Sequence, residues 1–526
     1  MNFFRKRPTA PLNPDEAQRK DGMKEIEPLH IKLDDTIEQI ESTLGNSEDF
    51  VNREIRFEID GMSMRTSILY MDGLADTKSI QNFILETLMS SNKHIEMDSR
   101  NVLDVLKERV LTVGDIADVR DFDKLFDSLL SGEVILLFDG FAEGLTIDMK
   151  SSEKRPVQEA SGEAVIRGPR EGFIENIRTN TSLIRKKIND PNLWLETFTI
   201  GRITKTKVSI MYINGIADEK VVEEVRARMN RIDVDGILES GYIEEYIQDE
   251  TYTPFPTMNN TERPDVVAGA LLEGRIAILV DGTPFVLLVP SLFIQFFQSA
   301  EDYYHRADIS SLIRALRFLG FFLAMLGPSL YIAITTFHQE MIPTALLISL
   351  ASQREGVPFP AFVEALLMEV TFEILRESGV RMPKAMGQAV SIVGTLVIGT
   401  AAVDAGIVSA AMVIVVAITA IASFVIPAFN ASIAARMIRF LFMALAASFG
   451  LFGVLVGLIA LILHLCSLRS FGVPFMSPVG PFILEDQKDT LVRLPFWALL
   501  TRPRFIHSHN SIRQRLNPPR KPKPRP

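Results

Sequence analysis

The ionisable side chains in the most apolar part of the chain are the ones whose spacing could support a function. On a helical wheel of the segment Gly356–Glu377, the side chains of Glu369, Glu373, Arg376 and Glu377 fall within one arc of about 100°, and apolar side chains fill another. Beside a membrane, such a helix either lies at the interface with water or lines an aqueous passage with its carboxylates. Glu369 and Glu373 are therefore candidates for a pore or polar membrane face.

A further candidate is Asp404, the one charged residue in the 51-residue run Ala385–Ala435. An ionisable residue at membrane depth usually has a function, so Asp404 is also a candidate for the polar membrane face. It stands beside Gly406, where two apolar stretches meet. A turn or a helix cap is therefore the alternative role.

Sequence motifs of catalysis and cofactor binding are absent. The chain has no GxGxxG, GxxxxGK[ST], GxSxG or HExxH pattern. Asp72, Asp139 and Asp281 each precede a glycine, and turn chemistry explains them. The single cysteine, Cys466, excludes an internal disulfide and a cysteine-based zinc cluster. We expect no enzyme activity, no cofactor and no metal site.

Long apolar runs organise the second half of the chain. A transmembrane helix needs about 20 apolar residues, so the run Ala385–Ala435 holds two spans, and Phe318–Phe337 and Phe440–Leu465 hold one each. Within the last run, Gly453 and Gly457 form a GxxxG pattern that favours close helix packing. The sequence predicts a multi-pass membrane protein with four or five membrane elements.

The first three-fifths of the chain contains an internal repeat at a constant offset of 142 residues. Ile68–Asp76 (ILYMDGLAD) aligns with Ile210–Asp218 (IMYINGIAD), and Leu129–Gly140 (LLSGEVILLFDG) aligns with Leu271–Gly282 (LLEGRIAILVDG). Two matches at one offset indicate a duplication. The period changes between two and the helical spacing within each copy, which is typical of mixed α and β structure.

These patterns predict two duplicated α/β soluble subdomains followed by a polytopic α-helical membrane domain. The predicted regions are a disordered segment 1–30, a first subdomain 31–155, a second subdomain 156–305, a transmembrane domain 306–470 and a basic, Pro-rich tail 471–526. No apolar signal segment opens the chain, and basic residues follow the last span. We therefore expect the soluble domain and the tail on the cytoplasmic side, with the tail near anionic lipid. The net charge of -10 argues against nucleic acid as a partner.

Several stretches resemble a known family. They are MPKAMGQAVSIVGTLVIGTAAVDAGIVSAAMVIVVAITAIASFVIP (Met382–Pro427), ARMIRFLFM (Ala435–Met443), FGVPFMSPVGPF (Phe471–Phe482) and the segment Glu273–Arg306. Together they resemble the A subunits of GerA-type spore germinant receptors, over residues from about 60 to 505.

The resemblance implies a germination protein of the inner spore membrane that triggers germination with a polytopic B subunit and a lipoprotein C subunit. It also implies a homo-oligomer that acts as a nutrient-gated cation channel. Thr400 and Asp404 stand where many members are expected to carry a longer polar side chain. The alternative is therefore a non-conducting accessory or scaffold membrane protein of the germination apparatus, of the spoVA-operon type.

Overall fold

The computed structural model describes residues 27–59, 62–85, 115–151, 160, 162–163, 165–381, 399–504, 506 and 510–514. They form two compact units. The first comprises residues up to 154 together with Ile188–Leu193, and the second comprises residues 155–187 and the chain from Trp194 onward. Most of the predicted segment 1–30, the first part of the run Ala385–Ala435 and the end of the basic tail lie outside the described residues.

The first subdomain is a five-stranded sheet in the order β1-β2-β4-β5-β3, in which each neighbouring pair is antiparallel. Its elements are α1 (Leu33–Thr43), β1 (Phe50–Ile59), β2 (Met62–Met71), β3 (Ile116–Val119), α2 (Phe122–Leu130), β4 (Val134–Phe138) and β5 (Gly144–Ile147). Apolar side chains of α1 and α2 cover one face of the sheet. A helical turn, Thr77–Ser79, continues as the π-helix Ile80–Leu85 and helps cover the other face.

The second subdomain repeats this plan, with the sheet order β6-β7-β9-β10-β8. Its elements are α3 (Ile177–Arg185), β6 (Leu193–Ile200), β7 (Thr206–Ile213), α4 (Glu219–Arg231), α5 (Ser240–Ile247), β8 (Asn259–Thr261), α6 (Pro264–Leu272), β9 (Ile276–Val280) and β10 (Val286–Val289). The bounds of α2, β4 and β5 match those of α6, β9 and β10 at the offset of 142 residues. The predicted duplication is confirmed.

The strand pairing corrects the predicted α/β class of the two subdomains. An α/β fold alternates parallel strands with helices. Here the pairs β4–β5 and β9–β10 are antiparallel neighbours joined by short turns, and β2–β4 and β7–β9 are antiparallel as well. Short connections force antiparallel pairing, because a parallel pair needs a long crossover. Each subdomain is therefore α+β.

The Asp-Gly turns after β4 and β9 fasten a helix to each sheet. Oδ1 of Asp139 accepts a hydrogen bond from the backbone N–H of Leu33 at 3.3 Å, and Oδ1 of Asp281 accepts one from Ile177 at 3.2 Å. These N–H groups lie in the first turns of α1 and α3, where no carbonyl of the helix itself can accept them. Asp139 and Asp281 are therefore helix caps as well as turn residues.

Helices make up most of the chain after the second subdomain. They are α7 (Glu301–Tyr304), α8 (Ala307–Phe337), α9 (Thr344–Arg354), α10 (Ala361–Arg381), α11 (Gly399–Asp404), α12 (Ala410–Phe424) and α13 (Phe429–Ser467). Among the described helices, α8 and α13 are long and apolar enough to cross a membrane, with mean hydropathies of 1.8 and 2.5 in their most apolar windows. One apolar core joins α8, α10, α12 and α13. We call these four helices the bundle.

Gly450 interrupts α13, which the sequence predicts as one continuous span from Phe440 to Leu465. Its φ of 59° and ψ of -143° are not helical, and this region of backbone space is open almost only to glycine. Residue 457 lies against Phe442 across the break, so the arms 429–449 and 451–467 fold back on each other. Periodicity missed the break because the predicted span Phe440–Leu465 is apolar on both sides of Gly450.

The described part of the predicted tail is folded onto the second subdomain. Phe471 is buried in the core of that subdomain, and the guanidinium of Arg228 lies 4.4 Å from the centre of its ring. The two-residue strands β11 (Arg469–Ser470) and β12 (Val473–Pro474) pair in this segment. The chain thus returns, after its helices, to the subdomain from which they started.

Candidate functional site

Helix α10 turns Glu369 inward, whereas several of its apolar side chains are exposed. Pro360 precedes the helix, and its carbonyl accepts hydrogen bonds from the N–H groups of the first turn. Glu369 is fully buried, whereas Leu367, Val370 and Ile374 are 39%, 43% and 62% exposed. A helix in water has the opposite arrangement, and intramembrane carboxylates face the interior of a bundle. Between Leu367 and Ile374, the exposed face of α10 is therefore largely apolar.

Glu369 forms an ion pair with Arg439 at the centre of the bundle. Nη1 of Arg439 donates to Oε2 of Glu369, and both side chains are 1% exposed or less. Nε of Arg439 donates to the carbonyl of Ala324 in α8 at 2.6 Å. This contact therefore joins α10, α13 and α8, three helices that are far apart in sequence.

One turn further along α10, Glu373 pairs with Arg436. The distance from Nη1 of Arg436 to Oε2 of Glu373 is 2.5 Å. The next turn brings Arg376, whose guanidinium lies 5.2 Å from the ring centre of Phe424 and 5.7 Å from that of Phe429. Both distances are suitable for cation–π contacts. These five charged side chains are called the polar stripe: Glu369, Glu373, Arg376, Arg436 and Arg439.

Glu364 closes the other end of α10. Its Oε2 accepts a hydrogen bond from the N–H of Ser409 at 3.0 Å, and its Oε1 lies 3.4 Å from Nε of Arg354 in α9. Ser409 is the N-cap residue of α12, and its hydroxyl accepts from the N–H of Met412. A carboxylate is stabilised at the positive end of a helix dipole. Glu364 thus joins α9, α10 and α12.

The polar stripe keeps unused hydrogen-bonding capacity. Within the described residues, one buried polar atom in each of its five side chains has no hydrogen-bond partner: Oε1 of Glu369, Oε1 of Glu373, Nη1 of Arg376, Nε of Arg436 and Nη2 of Arg439. Each such group costs about 1–3 kcal/mol when buried without a partner. Water molecules that reached these atoms would therefore offset part of that cost.

A cleft of about 650 Å³ adjoins the end of the stripe. Its wall is formed by the edge strand β8 of the second subdomain and by the turn between α12 and α13, and Arg376 lies on its lining. Glu163 lies on the same lining, where burial raises the pKa of its carboxyl to about 7. The polar stripe thus leads from the centre of the bundle towards this cleft beside the second subdomain.

The other predicted site residues lie elsewhere. Asp404 is the exposed last residue of α11, and Gly406 follows it with a φ of +66°. Gly453 and Gly457 face the preceding arm of α13, where a Cβ on Gly453 would meet the carbonyl of Leu445. Asp404 is thus not part of the polar stripe, and the two glycines pack within their own hairpin.

Among the residues that the structure describes, no three His, Cys, Asp or Glu side chains converge to hold a metal ion. The helical spacing of α10 indicated Glu369 and Glu373 but not Arg436 and Arg439, which pair with them. The available signal was the spacing of Arg436 and Arg439 on an apolar helix, since buried charges need partners of opposite sign.

Comparison with known proteins identifies relatives over most of the chain. The family model of the Bacillus/Clostridium GerA spore germination protein matches residues 38–505. Spore germination protein KA of Bacillus subtilis (strain 168) is 49% identical over 91% of this chain and 87% of its own length. The uncharacterized membrane protein YfkQ of the same organism is 45% identical over 90% of this chain and 91% of its own length.

A solved structure is also similar. The crystal structure of the N-terminal domain of the A subunit of the Bacillus megaterium spore germinant receptor GerK3 matches with 41% identity and a TM-score of 0.42, covering 51% of this chain and 99% of that one. The family match extends from the first subdomain through the helices to the C-terminal segment. The chain therefore belongs to the GerA family of Bacillus/Clostridium spore germination proteins.

Proposed function

We propose that this chain is the A subunit of a nutrient germinant receptor that triggers spore germination as an oligomeric, ligand-gated cation channel in the inner spore membrane. Its relatives include spore germination protein KA of Bacillus subtilis and spore germination protein GerLA of Bacillus cereus, both matched over at least 87% of their own length. By the same analogy, its partners are the B and C subunits of the receptor. This assignment requires no catalytic reaction from the chain.

The proposed multi-pass topology follows the direction of the helices. The first arm of α13 runs alongside α8, since Arg439 contacts Ala324 and Gly450 lies against Phe337. The second arm returns, because Nε2 of His464 lies 2.9 Å from the hydroxyl of Thr253 in the second subdomain. This return supports an even number of crossings. We place the soluble subdomains and the C-terminal segment together on the cytoplasmic side.

The proposed gate is the polar stripe. In the described arrangement, Glu369 and Glu373 are neutralised by Arg439 and Arg436 and hold α10 against α13. A ligand that binds better to an arrangement with these helices apart shifts the population towards it. The carboxylates then face water and raise the local concentration of cations. The exposed apolar faces of α8, α12 and α13 contact lipid or neighbouring subunits in this proposal.

The observation that carries this proposal is a buried, incompletely satisfied row of charges inside apolar helices of a spore germination protein. The test reconstitutes the full chain with its partner subunits in vesicles and measures potassium flux. Replacing Glu369 or Glu373 with Gln should change the flux while the assembled complex keeps its size. The matched control is Glu377→Gln, because Glu377 lies on the same helix and pairs with Arg381 in an exposed position.

The alternative function is a non-conducting scaffold of the germination apparatus. It is favoured by the ion pairs of Glu369 with Arg439 and of Glu373 with Arg436, which suit a static connection between helices as well as a gate. A scaffold predicts that no arrangement of the intact complex conducts potassium. Conduction that depends on Glu369, with unchanged assembly, excludes it.

A further inference from the structure

Asp302 is a buried carboxylate at the point where the second subdomain passes into the bundle. It lies in the short helix α7, and its side chain is 1% exposed. Its Oδ2 accepts hydrogen bonds from Nε and Nη2 of Arg314 at 3.2 and 3.1 Å, and Nη1 of Arg317 lies 2.8 Å from both carboxylate oxygens. One aspartate thus holds two arginines from the first turns of α8.

The second carboxylate at this point comes from the C-terminal segment. Nη1 of Arg314 donates to Oδ1 of Asp489 at 2.9 Å, and it also lies 2.8 and 2.9 Å from the carbonyls of Asp489 and Thr490. The hydroxyl of Tyr303 donates to Oδ2 of Asp489 at 2.7 Å. Burial raises the pKa of the Asp489 carboxyl. We call Asp302, Arg314, Arg317 and Asp489 the clasp.

The clasp is mechanically stiff. Two carboxylates balance two guanidinium groups, and Arg314 is completely buried with each of its nitrogen atoms engaged. Planar guanidinium–carboxylate contacts fix orientation as well as distance. A rotation of the second subdomain that leaves α8 in place must break these bonds, including the one between Asp302 and Arg314, whose side chains are 1% and 0% exposed. Moving α8 together with the subdomain keeps them.

A second joint connects the last helix to the same subdomain. The hydroxyl of Ser470, just after α13, donates to the carbonyl of Thr257 at 2.7 Å and accepts from the N–H of Ser291 at 2.9 Å. Ser470 is fully buried. Since the clasp holds Asp489 of the same C-terminal segment, the first and last helices of the bundle are fixed to one body.

We propose that Asp302 and Asp489 are positioning residues through which the second subdomain sets the position of α8 and, through the C-terminal segment, of α13. A displacement of that subdomain by a bound ligand or partner subunit reaches the polar stripe by this route. The inference rests on the proposed channel function for its final step. The mechanical coupling itself does not depend on conduction.

The test uses the full chain with its partner subunits and the variants Asp489→Asn and Tyr303→Phe. Asp489→Asn removes the negative charge of Asp489 from the clasp. Tyr303→Phe removes only the hydrogen bond to Asp489, so this variant remains informative if Asp489→Asn does not fold. The matched control is Asp308→Asn, since Asp308 lies in the first turn of α8 but pairs with Arg306 in an exposed position. The probe is an equimolar mixture of the twenty L-amino acids.

Potassium release should require a higher amino-acid concentration, whereas the conductance of the open channel should not change. For Asp489→Asn we expect the amino-acid concentration for half-maximal potassium release to rise about 5- to 150-fold, the usual range of coupling between sites, with an unchanged single-channel conductance. Tyr303→Phe should shift in the same direction by less, and Asp308→Asn should match the unmodified chain. An unchanged half-maximal concentration for both clasp variants overturns the proposal.

Hydrogen exchange separates a failure of the clasp from a failure of the channel assignment. In Asp489→Asn, amide exchange should rise at least about tenfold in residues 299–305 and 307–317 together, as expected of one cooperative unit that opens locally. A rise confined to residues 486–493 overturns the clasp even where the channel conducts. A joint rise in a chain that never conducts supports the clasp and removes the channel function alone.

Discussion

Replacing Arg439 with Met should destabilise the bundle far more than replacing both members of its ion pair. The single change leaves Glu369 fully buried with no cation at hydrogen-bonding distance, and it also removes the bond to the carbonyl of Ala324. The double change, Glu369→Leu with Arg439→Met, removes the buried charge as well. The two variants therefore separate the cost of an orphaned carboxylate from the value of the pair.

The magnitudes follow from the burial of both side chains. Breaking a buried ion pair by removing one partner costs about 3–5 kcal/mol, whereas replacing both partners with apolar groups is neutral or stabilising by about 1–4 kcal/mol. We expect Arg439→Met to lie in the first range and the double variant to be at least as stable as the original chain. The exposed pair Glu377–Arg381 serves as control, since an (i, i+4) surface pair contributes at most about 0.5 kcal/mol.

The assay is reversible unfolding of the full chain in detergent micelles, followed by circular dichroism and intrinsic fluorescence. The free energy of unfolding is compared between Arg439→Met, the double variant and Arg381→Met. A double variant that loses as much stability as the single variant would refute the reasoning, because it would show that the pair itself, and not the relief of an unpaired charge, stabilises the bundle.

Three further predictions concern other parts of the chain. Gly450→Ala should lower the free energy of unfolding by about 1–3 kcal/mol, because this backbone conformation suits glycine alone. The added Cβ would also lie 3.0 Å from the Cβ of Phe337. Thermal unfolding in detergent measures the loss of stability. Gly453→Leu should open the α13 hairpin by a clash with Leu445, which a disulfide cross-link or spin-label distance across the two arms would report as a longer separation. Burial and two neighbouring glutamates raise the pKa of Glu244 to about 7, so the folded chain keeps a proton that the unfolded chain loses. The free energy of unfolding therefore falls as pH rises from about 4.5 to about 7. Glu244→Gln should remove this fall and raise the free energy of unfolding at pH 8 by about 1–3 kcal/mol, measured by denaturant unfolding across that pH range.

The duplicated subdomains could be predicted because they rest on local sequence patterns. The offset of 142 residues identified the repeat, and the helix and strand bounds of the two copies agree with it. The antiparallel pairing was missed, since strand direction depends on which strands become neighbours. The hydrogen bond from each Asp-Gly turn to the start of a helix could not be predicted either, because Asp139 and Leu33 are 106 residues apart.

The polar stripe was only half predictable. A helical wheel separates the charged arc of α10 from its apolar arc, but it does not say which arc faces inward, because that depends on the surrounding solvent. Arg439 stands 70 residues from Glu369, so no periodicity connects them. The break at Gly450 was hidden because a glycine within a long apolar run is common in membrane helices.

The insertion of Phe471 into the core of the second subdomain constrains how the protein is made. That core cannot be completed while the ribosome is still translating the subdomain, since the side chain that fills it follows nearly two hundred residues later, beyond every helix of the bundle. The core of the subdomain therefore lacks Phe471 until the helices of the bundle and the segment after them have been synthesised. A polypeptide truncated before residue 471 therefore lacks one of the apolar side chains that fill the core of this subdomain.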